Sequence, residues 1–165
     1  MSSFNSIVSG MKKIRDPGKY PSYDTTTFAT QGSPGIKSVM YKGTVQGEKN
    51  EYPVYVQFRG VEFAEEAKPG FIPYEKGDVT GNKTIGYYEV PDLNRNDVAL
   101  KCMCTDFRFM WEFPLYKAKA LIGQFRKYVK VPGSNRPPKN PENILGVCKH
   151  VWSFTNALKE AGLVK

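Results

Sequence analysis

Two short stretches, Val98-Ala99-Leu100-Lys101-Cys102-Met103-Cys104 and Val147-Cys148-Lys149-His150-Val151, carry all three cysteines and the only histidine of this 165-residue chain. The first stretch predicts a β-strand, on which Cys102 and Cys104 share one face because strand side chains alternate between faces. The second stretch opens a pattern of apolar residues at spacings of three and four, which predicts a helix that begins near Cys148. The apolar residues of this pattern are Val147, Val151, Phe154, Leu158 and Ala161, and Gly162 ends it.

The four residues Cys102, Cys104, Cys148 and His150 are the number of ligands that closes a tetrahedral zinc site. A catalytic zinc uses three protein ligands and keeps one position open, so four ligands predict a structural Zn²⁺. A helix N-terminus also favours the thiolate form of a cysteine, as a metal ligand requires. Two alternatives stay open: the cysteines are unligated core thiols, or two of them form a disulfide, against which the odd count weighs. For Asp106, the acidic residue nearest to a ligand, a turn or capping role is expected.

The pattern C-x-C followed by C-x-H resembles the SWIM-type zinc finger, whose ligands lie on a small ββα unit. The surrounding residues are similar to those of small structural proteins of tailed bacteriophages that carry a SWIM-like site. These residues are Cys102-Met103-Cys104-Thr105-Asp106-Phe107, Asn140-Pro141 and Gly146-Val147-Cys148-Lys149-His150-Val151. The resemblance covers residues 97–162, with a departure: the 43 residues between Cys104 and Cys148 exceed the gap of compact versions.

The resemblance implies a zinc-stapled ββα-like unit with a long insertion between the two ligand pairs. It also implies a structural, non-enzymatic virion protein of the tail, baseplate or neck, assembled in the host cytoplasm in many copies. Its partners would be other virion proteins. No apolar run approaches the 18 or more residues of a membrane span, so no membrane partner is expected. Independently of the resemblance, the sequence shows no P-loop, no G-x-G-x-x-G after a strand, and no histidine beyond the one assigned to zinc. No catalytic residue is therefore predicted.

Positive charge is concentrated in the C-terminal part of the chain. Residues 1–100 contain 12 Lys/Arg and 12 Asp/Glu, whereas residues 101–165 contain 12 and 4, which accounts for the net charge of +8. The alternative function is therefore a zinc-dependent nucleic-acid-binding module, although no base-reading motif accompanies the charge. Seven residues of the 117–139 stretch are candidate contacts for phosphates or for an acidic partner: Lys117, Lys119, Arg126, Lys127, Lys130, Arg136 and Lys139.

The expected fold class is α+β, with a small β-sheet followed by two C-terminal helices. Residues 51–165 are expected to form a single domain with strands at 54–58 and 84–90. Because proline lacks a backbone N–H, Pro53 is expected either on an edge strand or at the start of the 54–58 strand. The apolar spacing from Leu115 to Val129 predicts a helix over 114–130, which would project between the ligand pairs. Residues 1–50 are expected to form an extended arm with a short helix near 4–13, suited to wrapping a partner subunit.

Overall fold

The computed structural model describes residues 2–126 and 139–165. Within these ranges the order is α1 (Phe4–Met11), β1 (Thr25–Ser33), β2 (Ser38–Gln46), β3 (Glu51–Arg59), β4 (Phe63–Ala64), β5 (Phe71–Gly77), β6 (Lys83–Glu89), β7 (Val98–Cys102), α2 (Glu112–Lys117) and α3 (Lys149–Glu160). A π-helical turn, Phe107–Trp111, leads directly into α2. The predicted α+β class is confirmed.

The strands form two antiparallel sheets. The larger sheet has the order β1-β2-β3-β7, and the smaller one has the order β4-β6-β5. β2 and β3 pair in unbroken register, from Ser38 opposite Arg59 to Gln46 opposite Glu51. β3 pairs with β7 from Val54 opposite Cys102 to Phe58 opposite Val98. Pro53 is therefore in a central strand, near its start, at a position where β3 pairs with β2 but not with β7.

Helix α3 packs across the larger sheet and contacts all four of its strands. Its buried positions follow the predicted period of three to four, with Val151, Phe154 and Leu158 fully buried. β3 presents Val54, Val56 and Phe58 to the interior, the alternation expected for a strand with one buried face. The metal-ligand candidates lie where this helix begins and where β7 ends.

Residues 1–50 contribute a helix and two sheet strands to the folded domain, which corrects the expectation of an extended arm. Helix α1 buries Phe4, Ile7, Val8 and Met11, and β1 and β2 are half of the larger sheet. The predicted short helix near 4–13 is confirmed. The arm was expected because the segment is rich in Ser, Thr, Gly and Pro. Its strands nevertheless form, because β2 places Val39, Tyr41 and Val45 against the sheet's other apolar residues.

The prediction of a helix over residues 114–130 is also wrong for most of the residues in this range that the structure describes. α2 ends at Lys117, and residues 120–122 run beside β7 instead. Leu100 donates a backbone hydrogen bond to Ala120 and accepts one from Ile122, at 2.9 and 3.0 Å. These hydrogen bonds satisfy backbone groups on the edge of β7 that faces away from β3. Their gain outweighs the helical spacing of the apolar residues in this segment. Residues 127–130 of the predicted helix lie outside the described residues.

In the described part of the chain, no helix is long and apolar enough to cross a membrane.

Candidate metal centre

The four predicted ligands meet at the junction of β7 and α3. Cys102 is the last residue of β7, Cys148 is the N-cap residue of α3, and His150 is the second residue of that helix. Cys104 follows β7 instead of lying on it, because the chain turns after Cys102 into the helical segment that includes Phe107. That placement corrects the expectation that both cysteines of the C-x-C pair share a strand.

The four ligand atoms lie within 4.8 Å of one another, and all four residues are buried. Sγ of Cys102 is 3.9 Å from Nδ1 of His150. Ligand atoms on a tetrahedral ion with bonds of about 2.0–2.3 Å lie about 3.3–3.8 Å apart. The observed spacing is close to this range, so the residues fit a single metal ion with four protein ligands.

The thiols are also linked to one another and to the backbone. The backbone N–H of Phe107 donates to Sγ of Cys104 at 3.3 Å. Hydrogen bonds from Cys102 and from Cys148 lower the pKa of Cys104, whereas burial raises the pKa of Cys148. A bound divalent ion would favour the thiolate form of all three cysteines, because metal binding releases the protons.

Aromatic rings enclose His150. Its ring centroid lies 4.6 Å from that of Tyr52 and 5.4 Å from that of Tyr23. Nδ1 faces Cys102, and Nε2 is buried with no hydrogen-bond partner among residues 2–126 and 139–165. The backbone of Gly47 closes the far side, where an added Cβ would lie 3.0 Å from Nε2. The imidazole is therefore held in one orientation by packing, with Nδ1 available as the ligand atom.

Beside this centre lies a buried ion-pair cluster that the sequence interpretation missed. The carboxylate of Glu112 is fully buried, and Lys101 and Arg126 contact it at 2.9 and 2.8 Å. Burial acts to raise the pKa of Glu112, but the hydrogen bonds from Arg126 and Lys101 outweigh it and hold this pKa below its ordinary value. One signal was present in the sequence, since Glu112 is the only charged residue in Phe109-Met110-Trp111-Glu112-Phe113-Pro114-Leu115.

The four basic candidates that the structure describes are dispersed rather than gathered on one helix. Arg126 is committed to Glu112, and the ammonium of Lys117 lies 5.5 Å from the ring centre of Phe113. Lys119 follows α2 with a φ of 58° and its carbonyl accepts a hydrogen bond from Arg59. Lys139 is exposed. The other three candidates, Lys127, Lys130 and Arg136, lie outside the described residues.

Asp106 has a structural partner. Nη1 of Arg15 donates to both carboxylate oxygens of Asp106, at 3.0 and 2.9 Å, and the guanidinium lies 5.7 Å from the centre of a Trp111 ring. The side chain of Asp106 makes no capping hydrogen bond to the helical turn. It therefore connects the segment after α1 to the turn after Cys104, and it is not one of the clustered ligands.

No protein-family model matches the chain, and comparisons with curated proteins and with solved structures find no significant match. The functional interpretation therefore depends on the geometry of the Cys/His cluster and on the residues around it.

Proposed function

We propose that Cys102, Cys104, Cys148 and His150 bind one Zn²⁺ in a closed structural site, and that the chain is a non-enzymatic structural protein of a tailed-phage virion. The observation that carries the metal proposal is the convergence of four buried ligand atoms within 4.8 Å from two distant parts of the chain. Three thiols and one imidazole, with no carboxylate, are a ligand set that zinc commonly takes in structural sites.

The proposed ion stabilises the fold because it connects the end of β7 to the start of α3. Those ligand pairs are separated by 43 residues. Closing a loop of that length costs entropy that grows only slowly with length, whereas zinc binding supplies on the order of 10 kcal/mol in small zinc domains. Four protein ligands leave no open position for water or substrate, which supports a structural role over a catalytic one.

Assignment to a virion is supported by the resemblance of the residues around the ligands to tailed-phage structural proteins. The tail, baseplate or neck are the proposed locations, with assembly through contacts to other virion proteins. Nucleic-acid binding through the 117–139 stretch is the second candidate. It is weakened because Arg126, one of its seven basic residues, is already paired with Glu112.

Elemental analysis of the purified chain tests the metal proposal, with one zinc per chain expected. Cys102→Ser should lose both the metal and resistance to proteolysis, because it removes a ligand at the end of β7. The matched control is Met103→Ser, since Met103 lies between the two cysteines with 46 % of its surface exposed. Retention of zinc and protease resistance in Cys102→Ser would refute the proposed site.

A separate experiment tests the virion proposal. Mass spectrometry of purified phage particles should detect the chain at a fixed copy number, and its absence would refute this role. DNA binding measured at several salt concentrations tests the second candidate. Affinity that falls steeply as salt rises would favour it, because released counterions make phosphate binding salt-dependent. Weak binding with little salt dependence would exclude it.

A further inference from the structure

The edge strands of the two sheets differ in how they are protected. Unpaired backbone groups on an edge strand can pair with another chain, and proteins usually block such edges with charged residues, proline or covering segments. β7, one edge of the larger sheet, is covered by residues 120–122 through the backbone bonds of Leu100. β5, an edge of the smaller sheet, carries Pro73, Glu75 and Lys76.

β1, the other edge of the larger sheet, has almost none of these protections. From Thr25 to Ser33 its sequence is TTTFATQGS, with no charged residue and no proline in a chain that is 24 % charged. A register irregularity between Thr25 and Thr27 affects only its start. β2 is its one strand partner among the described residues.

The exposed part of β1 is long enough to accept another strand. The six consecutive residues from Thr26 to Gln31 are exposed, although the side chain of Thr30 hydrogen-bonds to Tyr88 of the smaller sheet. At Gly32 the strand lies against the smaller sheet, where an added Cβ would overlap the ring of Tyr74. Phe28 stacks on Phe154 of α3, with 5.6 Å between ring centroids, yet remains 45 % exposed. A paired strand would cover this ring and satisfy the outer amides and carbonyls.

We propose that β1 pairs antiparallel with β1 of a second copy of this chain, joining the two larger sheets into one continuous sheet. The uncharged composition of β1 favours a copy of itself, because no like charges meet although each chain carries +8. The nearest charge on β2 is Lys42, opposite Ala29. In a pair centred near Ala29, two Lys42 residues would be separated by about three strand spacings, about 14 Å, which exceeds the screening length of about 8 Å at physiological salt.

This pairing does not depend on the proposed metal or on the virion role. Light scattering of the full chain, measured over a wide concentration range, should show a reversible dimer. Ala29→Glu should raise its dissociation constant by about a hundredfold, because it juxtaposes two carboxylates at the joint edge. Within each chain the new carboxylate faces Lys42, so the variant should remain folded, as circular dichroism would verify.

Val79→Glu is the matched control, because Val79 is fully exposed in the turn between β5 and β6 and should leave the dimer unchanged. Mixing Ala29→Glu with Ala29→Lys should restore association through opposite charges. Gln31→Glu provides a second variant on the same edge if Ala29→Glu does not fold. A wild-type chain that stays monomeric throughout, or a dimer unaffected by charges in β1, would overturn the proposal.

Discussion

Oε2 of the fully buried Glu112 lies 2.8 Å from Nη2 of Arg126. The backbone N–H of Arg126 also donates to Glu112, at 3.0 Å, and Lys101 contacts the same carboxylate from β7. This cluster holds the chain after α2 against β7. Its β7 member, Lys101, immediately precedes the candidate ligand Cys102. The packing of the 118–126 segment and the position of the candidate metal centre are therefore connected through one buried carboxylate.

Replacing Glu112 with Gln should lower the free energy of unfolding by about 3 kcal/mol. The variant leaves the charges of Lys101 and Arg126 without a counter-charge, and Lys101 is only 12 % exposed. Urea unfolding provides the measurement. Glu75→Gln is the control, because the Glu75–Lys83 pair is exposed, and its loss should cost less than about 0.5 kcal/mol. Equal effects of the two substitutions would contradict a stabilising role for the buried cluster.

The stability difference between the wild type and Glu112→Gln should depend on pH. The pKa of Glu112 is held below its ordinary value in the folded chain, so its contribution is present above the unfolded-state pKa of about 4.3 and is lost as pH falls through the lower folded-state pKa. The gap in melting temperature should thus be constant from about pH 7 to pH 5 and shrink below about pH 4. A gap that already shrinks between pH 7 and pH 5 would rule out this explanation.

Tyr41→Phe should destabilise the chain by about 1–2 kcal/mol. The buried hydroxyl of Tyr41 donates to the carbonyl of Leu163 at 2.8 Å and lies 2.7 Å from the hydroxyl of Tyr88, which can donate to it. Without the Tyr41 hydroxyl, the carbonyl of Leu163 loses a hydrogen-bond donor and the hydroxyl of Tyr88 loses a hydrogen-bond acceptor. Thermal unfolding would measure the loss. Tyr87→Phe, on the same strand as Tyr88 but only partly buried, should have little effect, and a similar loss in both variants would contradict the assignment.

Two glycine-to-alanine substitutions should change stability in opposite directions. At Gly146 an added methyl group would overlap the buried ring of Trp111, so Gly146→Ala should cost about 1–3 kcal/mol. Gly10 lies in α1 with no neighbouring atom within 4 Å of an added Cβ, so Gly10→Ala should stabilise the chain by about 0.4–1 kcal/mol. Chemical denaturation of both variants would test the packing around Trp111, and a neutral Gly146→Ala would contradict it.

Local patterns in the sequence were sufficient for the elements that carry the ligands. The period of Val151, Phe154 and Leu158 predicted α3, and the apolar run before Cys102 predicted β7. α3 buries one apolar face and β7 is buried along most of its length, so their own apolar residues determine them. The grouping of the three cysteines with His150 followed from ligand chemistry and is confirmed by their proximity.

Features that depend on distant partners could not be predicted in this way. The stripe from Leu115 to Val129 has a helical period, but Leu100 offers backbone hydrogen bonds that hold residues 120–122 beside β7. The paired strands of residues 25–46 likewise require β3 and α3 as packing partners. Glu112 was missed because its two cationic partners come from β7 and from the segment after α2.

Zinc K-edge X-ray absorption of the purified chain tests the central claim most directly, because it reports the atoms bound to the metal. The proposed site predicts three sulfur ligands at about 2.3 Å and one nitrogen ligand at about 2.0–2.1 Å. Replacing His150 with Ala should remove the nitrogen contribution from that shell. A shell of oxygen and nitrogen without sulfur, or a folded chain that takes up no zinc, would contradict the account.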